Sequence, residues 1–351
     1  MIPKCGWFNV TDLLVSLMKI ESTTLNEFNV GHALANFIEE GGWVARKQFI
    51  PNNDKRFNLL ITKNDIDPKK IKFLFNSHLD TVPPYIEPTV RDGMVFGRGS
   101  NDAKGQVASM IIAAKKFVDQ NKEDEDKIGL LFVVGEETDH VGMKKANSFN
   151  LEADYIVVGE PTENKFARLQ KGAIKLELVC HGKAAHSGYP EKGVSAIEKL
   201  LDILNDIRNY DWPKDKDVGD TTLNIGFIEG GQALNALASN ASAQLFFRVT
   251  TTTDEIESKM KEIIGGRCDM NVYGKNDPVH LSEPPKGYES KTVAFNTDLP
   301  FFEGRSQMKG CYLFGAGSIT NAHSVDEFVK ISDLESSIET YVNLVKHCLH
   351  Q

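Results

Sequence analysis

Four short apolar runs along the chain are each followed by histidine, aspartate or glutamate residues, whose side chains can bind metal or transfer protons. Each run is rich in β-branched or aromatic side chains and is bounded by Gly, Pro or Asp, which is the pattern of a buried β-strand. The runs cover residues 71–76, 128–134, 153–158 and 311–314. Segments with apolar residues at helical spacing alternate with them, as in the stretch with Val107, Met110, Ile111, Ala114 and Phe117. This alternation predicts an α/β protein with a mixed, largely parallel sheet flanked by helices.

The middle of the chain has a different pattern. Residues 173–180 alternate between apolar and polar, as in a strand with one solvated face. Two helices and two further strands are predicted after it, over residues 194–204, 222–228, 242–249 and 256–263. None of the four apolar runs that are followed by histidine or acidic residues lies in this stretch. We therefore predict a discontinuous catalytic domain, residues 1–172 and 285–351, and an inserted α+β domain, residues 173–284, with its own core.

Composition narrows the classes of function. The hydrophobic content of 41% and charged content of 25% are ordinary for a globular protein. The formal net charge of −9 argues against nucleic acid or an anionic membrane as the main partner. The five cysteines have no C-x-x-C spacing, so we expect neither a disulfide framework nor a zinc knuckle. No apolar signal-peptide core and no run of about 18 apolar residues is seen, so a cytoplasmic protein is expected.

Histidine and carboxylate residues stand where the predicted strands end. His78, Glu137 and Glu160 follow the first three runs, His323 follows the fourth, and Asp102 lies on a glycine-rich loop before a helix. Ligands collect at the carboxyl ends of strands in open α/β sheets, so we expect these side chains to meet. Imidazole and carboxylate groups without thiolates suit Zn²⁺. The sequence therefore predicts two zinc sites that share one carboxylate, with cobalt or manganese as alternative metals.

Glu136 and Glu137 are adjacent at the end of an apolar run. Two neighbouring carboxylates in a buried position stay ionised only if cations are close, and no Lys or Arg occurs between Gly129 and Thr138. Adjacent side chains point apart, so one can bind metal while the other acts as a base. Two ions about 3.5–4 Å apart can hold a hydroxide and polarise a carbonyl. The free glutamate would then carry a proton to the leaving nitrogen, which is amide-bond hydrolysis.

Each of these residues also has a purely structural interpretation. His78 could be a hydrogen-bonded histidine at a strand end, oriented by Asp80, which shares its face of the strand. Asp102 could cap the helix that follows it. Glu160 and His323 could be ordinary loop residues. The repeated placement at successive strand ends is what favours a metal centre over these separate interpretations.

Six segments resemble the M20 metallopeptidase family, which includes acetylornithine deacetylases, succinyl-diaminopimelate desuccinylases, aminoacylases and glutamate carboxypeptidases. The resemblance spans nearly the whole chain. It rests on SHLDTVP at 77–83, GRGSNDAKG at 97–105, GEE at 135–137, GEPT at 159–162, GKAAHSG at 182–188 and TNAHS at 320–324. It implies that the inserted domain is a lid that often dimerises, and hence a homodimer.

The resemblance also implies how the metal ligands are shared. Asp102 would be the bridging ligand of two zinc ions. His78 and Glu160 would complete the site of one ion, and Glu137 and His323 the site of the other. The peptide bond that follows the bridging aspartate is expected to be cis.

Further roles follow from the same resemblance. Glu136 would be the general base, and Asp80 would support the zinc-binding histidine. His186 stands among small residues, where an imidazole could donate to an oxyanion, in dimeric members that of the partner subunit. Asn235 and Arg248 resemble substrate-binding positions, and an arginine there suits capture of a carboxylate, although a plain salt bridge is the alternative. The family often has proline three residues after this asparagine, whereas this chain has Ala238, a departure from the family pattern.

We therefore expect hydrolysis of the amide bond of an N-acyl amino acid, as in acetylornithine deacetylases. Carboxypeptidase or dipeptidase activity is the alternative, because the sequence does not fix the acyl group. A non-catalytic regulatory relative would be favoured by a missing ligand or base, and all are present. An aminopeptidase would need an acidic pocket for the substrate amine, whereas Arg248 favours a carboxylate.

Overall fold

The structure is a computed structural model that describes residues 2–216 and 218–350. Within these residues it has seven α-helices. They are α1 (Val10–Met18), α2 (Phe28–Glu40), α3 (Lys104–Gln120), α4 (Val141–Ala146), α5 (Ala196–Asn209), α6 (Thr253–Ile264) and α7 (Ile331–Leu349). In this part of the chain, none of the helices is both long enough and apolar enough to span a lipid bilayer.

Among the described residues, the strands belong to five sheets. In chain order they are β1 (Val44–Ile50), β2 (Asn53–Thr62), β3 (Phe73–His78), β4 (Thr89–Arg91), β5 (Met94–Phe96), β6 (Ile128–Val133), β7 (Tyr155–Val158), β8 (Phe166–Gln170), β9 (Gly172–His181), β10 (Lys214–Asp215), β11 (Gly219–Asp220), β12 (Thr222–Gly230), β13 (Asn240–Val249), β14 (Asp269–Asn276), β15 (Val279–His280), β16 (Ser290–Val293), β17 (Gly310–Leu313) and β18 (Phe328–Lys330).

The chain divides into two compact units, and the first is discontinuous. Its segments are Met1–Arg168, Leu281–Lys291 and Thr297–Gln351, while the second unit comprises Leu169–His280 and Thr292–Asn296. The chain enters the second unit at Leu169 and leaves it after His280. Both positions lie a few residues before the boundaries expected from the sequence, which were 173 and 284. The return of a five-residue segment to the second unit has no counterpart in the sequence pattern.

A six-stranded sheet with the order β1-β2-β6-β3-β7-β17 is the centre of the first unit. Strand β3 pairs in parallel with β6 and β7, and β17 pairs in parallel with β7, while β1 and β2 run antiparallel. Every residue of β3 and β6 is buried, as expected for strands covered on both faces. The prediction of a mixed, largely parallel sheet flanked by helices is therefore confirmed.

Large aromatic side chains fill the core of the first unit. Phe75, Phe117 and Phe132 are fully buried in it, and helix α3 packs against α1 and α7. The hydroxyl of buried Tyr341 on α7 donates to the carbonyl of Phe314, 2.7 Å away, directly after β17. Burial of such rings is worth about 25 cal/mol per Å² of apolar surface. This packing fixes the strands whose carboxyl ends carry the candidate site.

The second unit has an antiparallel sheet with the order β12-β13-β9-β14. Helices α5 and α6 supply the apolar residues that cover one face, among them Leu200, Ile203, Ile256 and Met260. Along β13, buried residues alternate with residues that are partly or fully exposed, which is why the sequence of such strands shows a period of two. Strand β12 is an edge strand with mostly exposed side chains.

Candidate metal centre

The carboxyl ends of β3 and β7 bring a histidine and a glutamate together. His78 ends β3 and Glu160 follows β7 by two residues, and the two parallel strands are direct neighbours. His78 Nε2 lies 3.6 Å from Glu160 Oε1 and 3.0 Å from Asp102 Oδ1. All three side chains are buried. Their facing nitrogen and oxygen atoms form one group with metal-ligating chemistry.

Asp102 also faces a second group of ligand atoms. Its other oxygen, Oδ2, lies 3.3 Å from His323 Nε2, and that nitrogen lies 3.1 Å from Glu137 Oε2. The Asp102 carboxylate thus directs one oxygen to each histidine. The peptide bond between Asp102 and Ala103 is cis, as expected. Helix α3 has Ala103 at its N-cap without a side-chain cap hydrogen bond, so the helix-cap interpretation of Asp102 is wrong.

The electrostatics of these groups reflect a concentration of buried carboxylates. Burial, with the charge of Asp102 beside it, raises the pKa of Glu137 and raises that of Glu160 well above its usual range. Burial also acts to raise the pKa of Asp102, but hydrogen bonds from His323 and His78 outweigh it and the pKa is lowered. The hydrogen bonds to Asp102 and Glu137 raise the pKa of His323 to about 10. Positive charge among these carboxylates is therefore strongly favoured.

The residues present fit divalent cations. Glu137 Oε1 is buried and has no hydrogen-bond partner within the described part of the chain, although a buried carboxylate oxygen is costly to leave unpaired. Nearby cationic side chains are engaged elsewhere, because Arg98 pairs with Glu327 and Lys104 donates to two main-chain carbonyl groups. Imidazole nitrogens with carboxylate oxygens are a donor set suited to zinc, cobalt or manganese.

Asp80 supports both histidine and glutamate residues of the site. His78 Nδ1 donates to the main-chain carbonyl of Asp80 at 2.9 Å and lies 3.6 Å from its carboxylate, which leaves Nε2 for the ligand position. The Asp80 carboxylate accepts the backbone N–H groups of residues 135–137 at 2.9, 3.2 and 3.3 Å, and the hydroxyl of Thr24 at 2.9 Å. The sequence indicated only the link to His78, whereas the carboxylate also fixes the loop of the two glutamates.

Glu136 is partly buried next to Glu137, with 11% of its side chain exposed. Burial raises the pKa of Glu136 well above its usual range, and the charges of Asp298 and Glu137 add to this while that of His78 opposes it. A carboxyl group held beside a reacting water can accept a proton and return it. Glu136 therefore has the chemistry of a general base that shares the site with the ligands.

One buried carboxylate organises the Asp102 loop, and sequence reasoning did not find it. Glu327 is fully buried, and its Oε1 accepts the backbone N–H groups of Gly99, Asn101 and Asp102 at 3.0, 3.1 and 3.1 Å. Its only signal in the sequence is an acidic residue directly before the apolar pair of strand β18, which is weak. Glu327 holds the backbone that presents Asp102.

Arg98 links the Glu327 carboxylate to the loop that carries His323. Its Nη1 lies 2.5 Å from Glu327 Oε2 and donates to the carbonyl of Ser324 at 3.2 Å, while Nη2 donates to the carbonyl of His323 at 3.3 Å. Arg98 stands inside the GRGSNDAKG segment, but nothing in that segment indicates its partner. The pair joins the loops that carry Asp102 and His323.

The three remaining site residues lie in the second unit. His186 is exposed, and its Nδ1 accepts the backbone N–H two residues further on. The N–H of Ser187 donates to the carbonyl of Asn235 at 2.9 Å, so the structure brings the His186 and Asn235 loops together. Arg248 lies on β13, with its guanidinium carbon 4.2 Å from the centre of the Phe246 ring.

Comparison with known proteins agrees with this fold. Residues 168–271 match a family model described as a peptidase dimerisation domain. A peptidase M20 domain-containing protein of Schizosaccharomyces pombe is 37% identical to the chain, over 97% of this chain and 85% of the relative. A protein of Ajellomyces capsulatus named as a probable carboxypeptidase is 33% identical, over 94% and 84% of the two chains.

A comparison with solved structures also supports the fold. The crystal structure of a tripeptidase from Staphylococcus aureus matches with a TM-score of 0.81 and 21% sequence identity, over 100% of both chains. The fold and the relatives together define the protein as a hydrolase of the peptidase class. More narrowly, the chain belongs to the M20 peptidase family.

Proposed function

We propose that this protein hydrolyses the amide bond of a small substrate that carries a free carboxylate, with two divalent cations, preferably zinc. One cation would be held by His78, Asp102 and Glu160, and the other by Asp102, Glu137 and His323. The observation that carries the proposal is the Asp102 carboxylate, which directs one oxygen to each histidine. A carboxylate shared in this way is what a pair of adjacent cations requires.

The protein's own residues would move the proton. When bound, the cations would supply Lewis-acid polarisation of the scissile carbonyl and positive charge beside the attacking water. Glu136 would accept a proton as water adds to the carbonyl carbon, and would return it to the nitrogen as the C–N bond breaks. Asp80 would keep Glu136 in place through the backbone N–H groups of residues 135–137.

Residues of the second unit complete the proposal. Arg248 would bind the substrate carboxylate, Asn235 would contact the substrate, and His186 would donate to the oxyanion. A homodimer through the inserted unit is supported by the matched dimerisation domain and by the edge strand β12, on which Phe227 and Ile228 are 65% and 57% exposed. Exposed apolar side chains on an unpaired strand edge favour pairing with a second chain.

Two substrate classes fit the same chemistry. N-acyl amino acids and short peptides both present an amide bond next to an amino acid with a free carboxylate. The strand-end motifs favour the first class by resemblance to acetylornithine deacetylases. The curated relatives named as probable carboxypeptidases favour the second class, since removal of a C-terminal residue leaves the carboxylate on the released amino acid.

The test is hydrolysis by zinc-loaded protein of a panel that pairs N-acetyl amino acids, including N-acetylornithine, with blocked and unblocked dipeptides. Chelator-treated protein and a Glu136→Gln variant loaded with zinc are the matched controls. Chelator-sensitive release of acetate supports the deacylase, and release of the C-terminal amino acid from blocked dipeptides supports the carboxypeptidase. Cleavage of unblocked dipeptides alone supports a dipeptidase. Turnover that survives both controls contradicts the proposal.

A further inference from the structure

A buried histidine–aspartate pair lies beside Glu136. His140 Nδ1 is 3.0 Å from Asp298 Oδ1 and 3.8 Å from Glu136 Oε1. His140 and Asp298 are both buried, with 7% and 1% of their surface exposed. The three residues form a group distinct from the two that share Asp102. The pair therefore adjoins the proposed base without belonging to the metal ligands.

The imidazole of His140 is fixed by its surroundings. Its ring stacks on that of Phe301, with centroids 4.1 Å apart and an interplanar angle of 20°. Phe301 is itself anchored, because its carbonyl accepts from Asn147 Nδ2 at 3.0 Å. The backbone N–H of His140 donates to the carbonyl of Gly135 at 2.7 Å, which closes the turn that carries the two glutamates. The ring is thus tied to the same turn as Glu136.

The carboxylates of Asp298 and Glu136 both lie near the Nδ1 atom of His140 and favour a proton on that nitrogen. The Asp298 carboxylate accepts a hydrogen bond from Nδ1, so the proton is held on Nδ1. The same nitrogen lies 3.8 Å from Glu136 Oε1. A fixed donor edge beside a carboxylate favours one orientation of that carboxylate, and a displacement of about 1 Å at a reacting group can cost about 10²-fold in rate.

We propose that His140 is a positioning residue for Glu136. Held by Asp298 and Phe301, its Nδ1 edge keeps the Glu136 carboxylate in the orientation that accepts the proton of water. The inference rests on the proposed function, because it gives His140 a role only through the base. It adds a residue that the sequence motifs do not point to, since His140 follows the GEE segment within an ordinary polar turn.

The test uses two substitutions that suit the backbone at this position. His140 has a φ of 57°, which glycine and asparagine tolerate. His140→Gly removes the ring, whereas His140→Asn keeps a short side chain with an N–H donor. Each is made in the wild-type and in the Glu136→Gln background, with kcat, KM, bound metal per chain and melting temperature measured on a substrate from the panel. Slow variants are followed under single-turnover conditions.

For His140→Gly we expect kcat to fall about 10- to 100-fold, with KM and metal content unchanged. His140→Asn should recover part of the loss. In the Glu136→Gln background neither substitution should lower the rate further, because residues that act through one another are not additive. His350→Asn is the matched control, because His350 also pairs with a buried aspartate, Asp124, before β6 rather than after it. It should leave kcat unchanged.

Three results would overturn the inference. An equal loss in both backgrounds would make His140 a structural residue. A drop in metal content with His140→Gly would place it with the ligands. A third cation per wild-type chain that is lost with His140→Gly would make the group a metal site. Failure of the proposed function is distinguishable, because wild-type protein then hydrolyses nothing on the panel, whereas each of the three results above is obtained with an active wild type.

Discussion

Glu327 Oε1 accepts the backbone N–H of Asp102 at 3.1 Å, across 225 positions of the sequence. Through its other oxygen the same carboxylate pairs with Arg98, which donates to the carbonyl of His323. The loops that present Asp102 and His323 therefore depend on one buried ion pair. Removal of one partner of such a pair leaves an uncompensated buried charge, which costs about 3–5 kcal/mol.

We expect Glu327→Gln to weaken metal binding about 10- to 100-fold while the protein remains folded. The amide keeps an oxygen that can accept the three N–H groups, but it loses the charge that holds Arg98 and through it the His323 loop. The measurement is metal content by mass spectrometry after dialysis against graded chelator. Glu152→Gln, which breaks the exposed pair with Lys69, is the control and should retain metal like the wild type. Equal retention by both variants would contradict the assigned role.

Metal stoichiometry should distinguish the shared ligand from the unshared ones. Asp102→Asn should reduce the affinity for both cations, because its two oxygens face the two histidines separately. Glu160→Gln and Glu137→Gln should each weaken one cation and leave the other in place. Titration of chelator-treated protein by calorimetry measures this directly. Two full-affinity sites in Asp102→Asn would show that the carboxylate does not bridge.

Glu136→Gln should lower kcat about 10²- to 10⁴-fold without loss of metal, since the amide cannot accept the proton of water. The substitution nearly preserves size and leaves the Asp80 contacts to the backbone intact. Steady-state kinetics and metal content are measured on the same preparation. Full turnover with both cations bound would remove Glu136 from the role of base.

His186→Ala should lower kcat about 10²- to 10³-fold, the usual cost of one oxyanion donor. His181→Ala is the matched control, since His181 is an exposed histidine of the same segment that hydrogen-bonds Asn240 and Asp269 instead. If the donor acts on the partner subunit, mixing His186→Ala with Glu136→Gln subunits should restore part of the activity. Unchanged kcat in His186→Ala would make the histidine a structural loop residue.

Arg248→Met should raise KM for substrates with a free carboxylate and have little effect on the corresponding C-terminal amides. The comparison of acid and amide substrates separates carboxylate binding from a general effect on stability. Lys175→Met tests the neighbouring cation, because Lys175 also lies over the Phe246 ring, at 5.6 Å. An equal effect of Arg248→Met on both substrate types would favour the salt-bridge interpretation.

The sequence predicted the strands of the parallel sheet because these strands are buried on both faces and read as continuous apolar runs. It also predicted that His78, Glu137 and Glu160 would meet, since their strands run in parallel and end at one edge. The family and the fold class are confirmed. The roles of the individual site residues remain predictions that the experiments above address.

Several contacts could not be predicted, because they join residues that are far apart in the sequence and carry no periodic signal. Glu327 reaches the Asp102 loop only through the tertiary fold, and Asp298 reaches His140 in the same way. The carboxylate of Asp80 was expected beside His78, yet its hydrogen bonds go mainly to backbone N–H groups of residues 135–137. Backbone donors are the same at every position, so no residue type marks them.

Residue type and order by themselves determined which elements form, which chemistry collects at one edge of the sheet, and which family the chain resembles. Tertiary structure alone decided which oxygen faces which histidine, which ion pair ties the ligand loops together, and which ring lies beside Glu136. The physical reason is the separation along the sequence over which each kind of interaction acts. Hydrophobic periodicity involves residues that are close in the sequence, so it can be recognised from the sequence alone. Hydrogen bonds and ion pairs require distances of about 3 Å between atoms, which only the folded chain establishes.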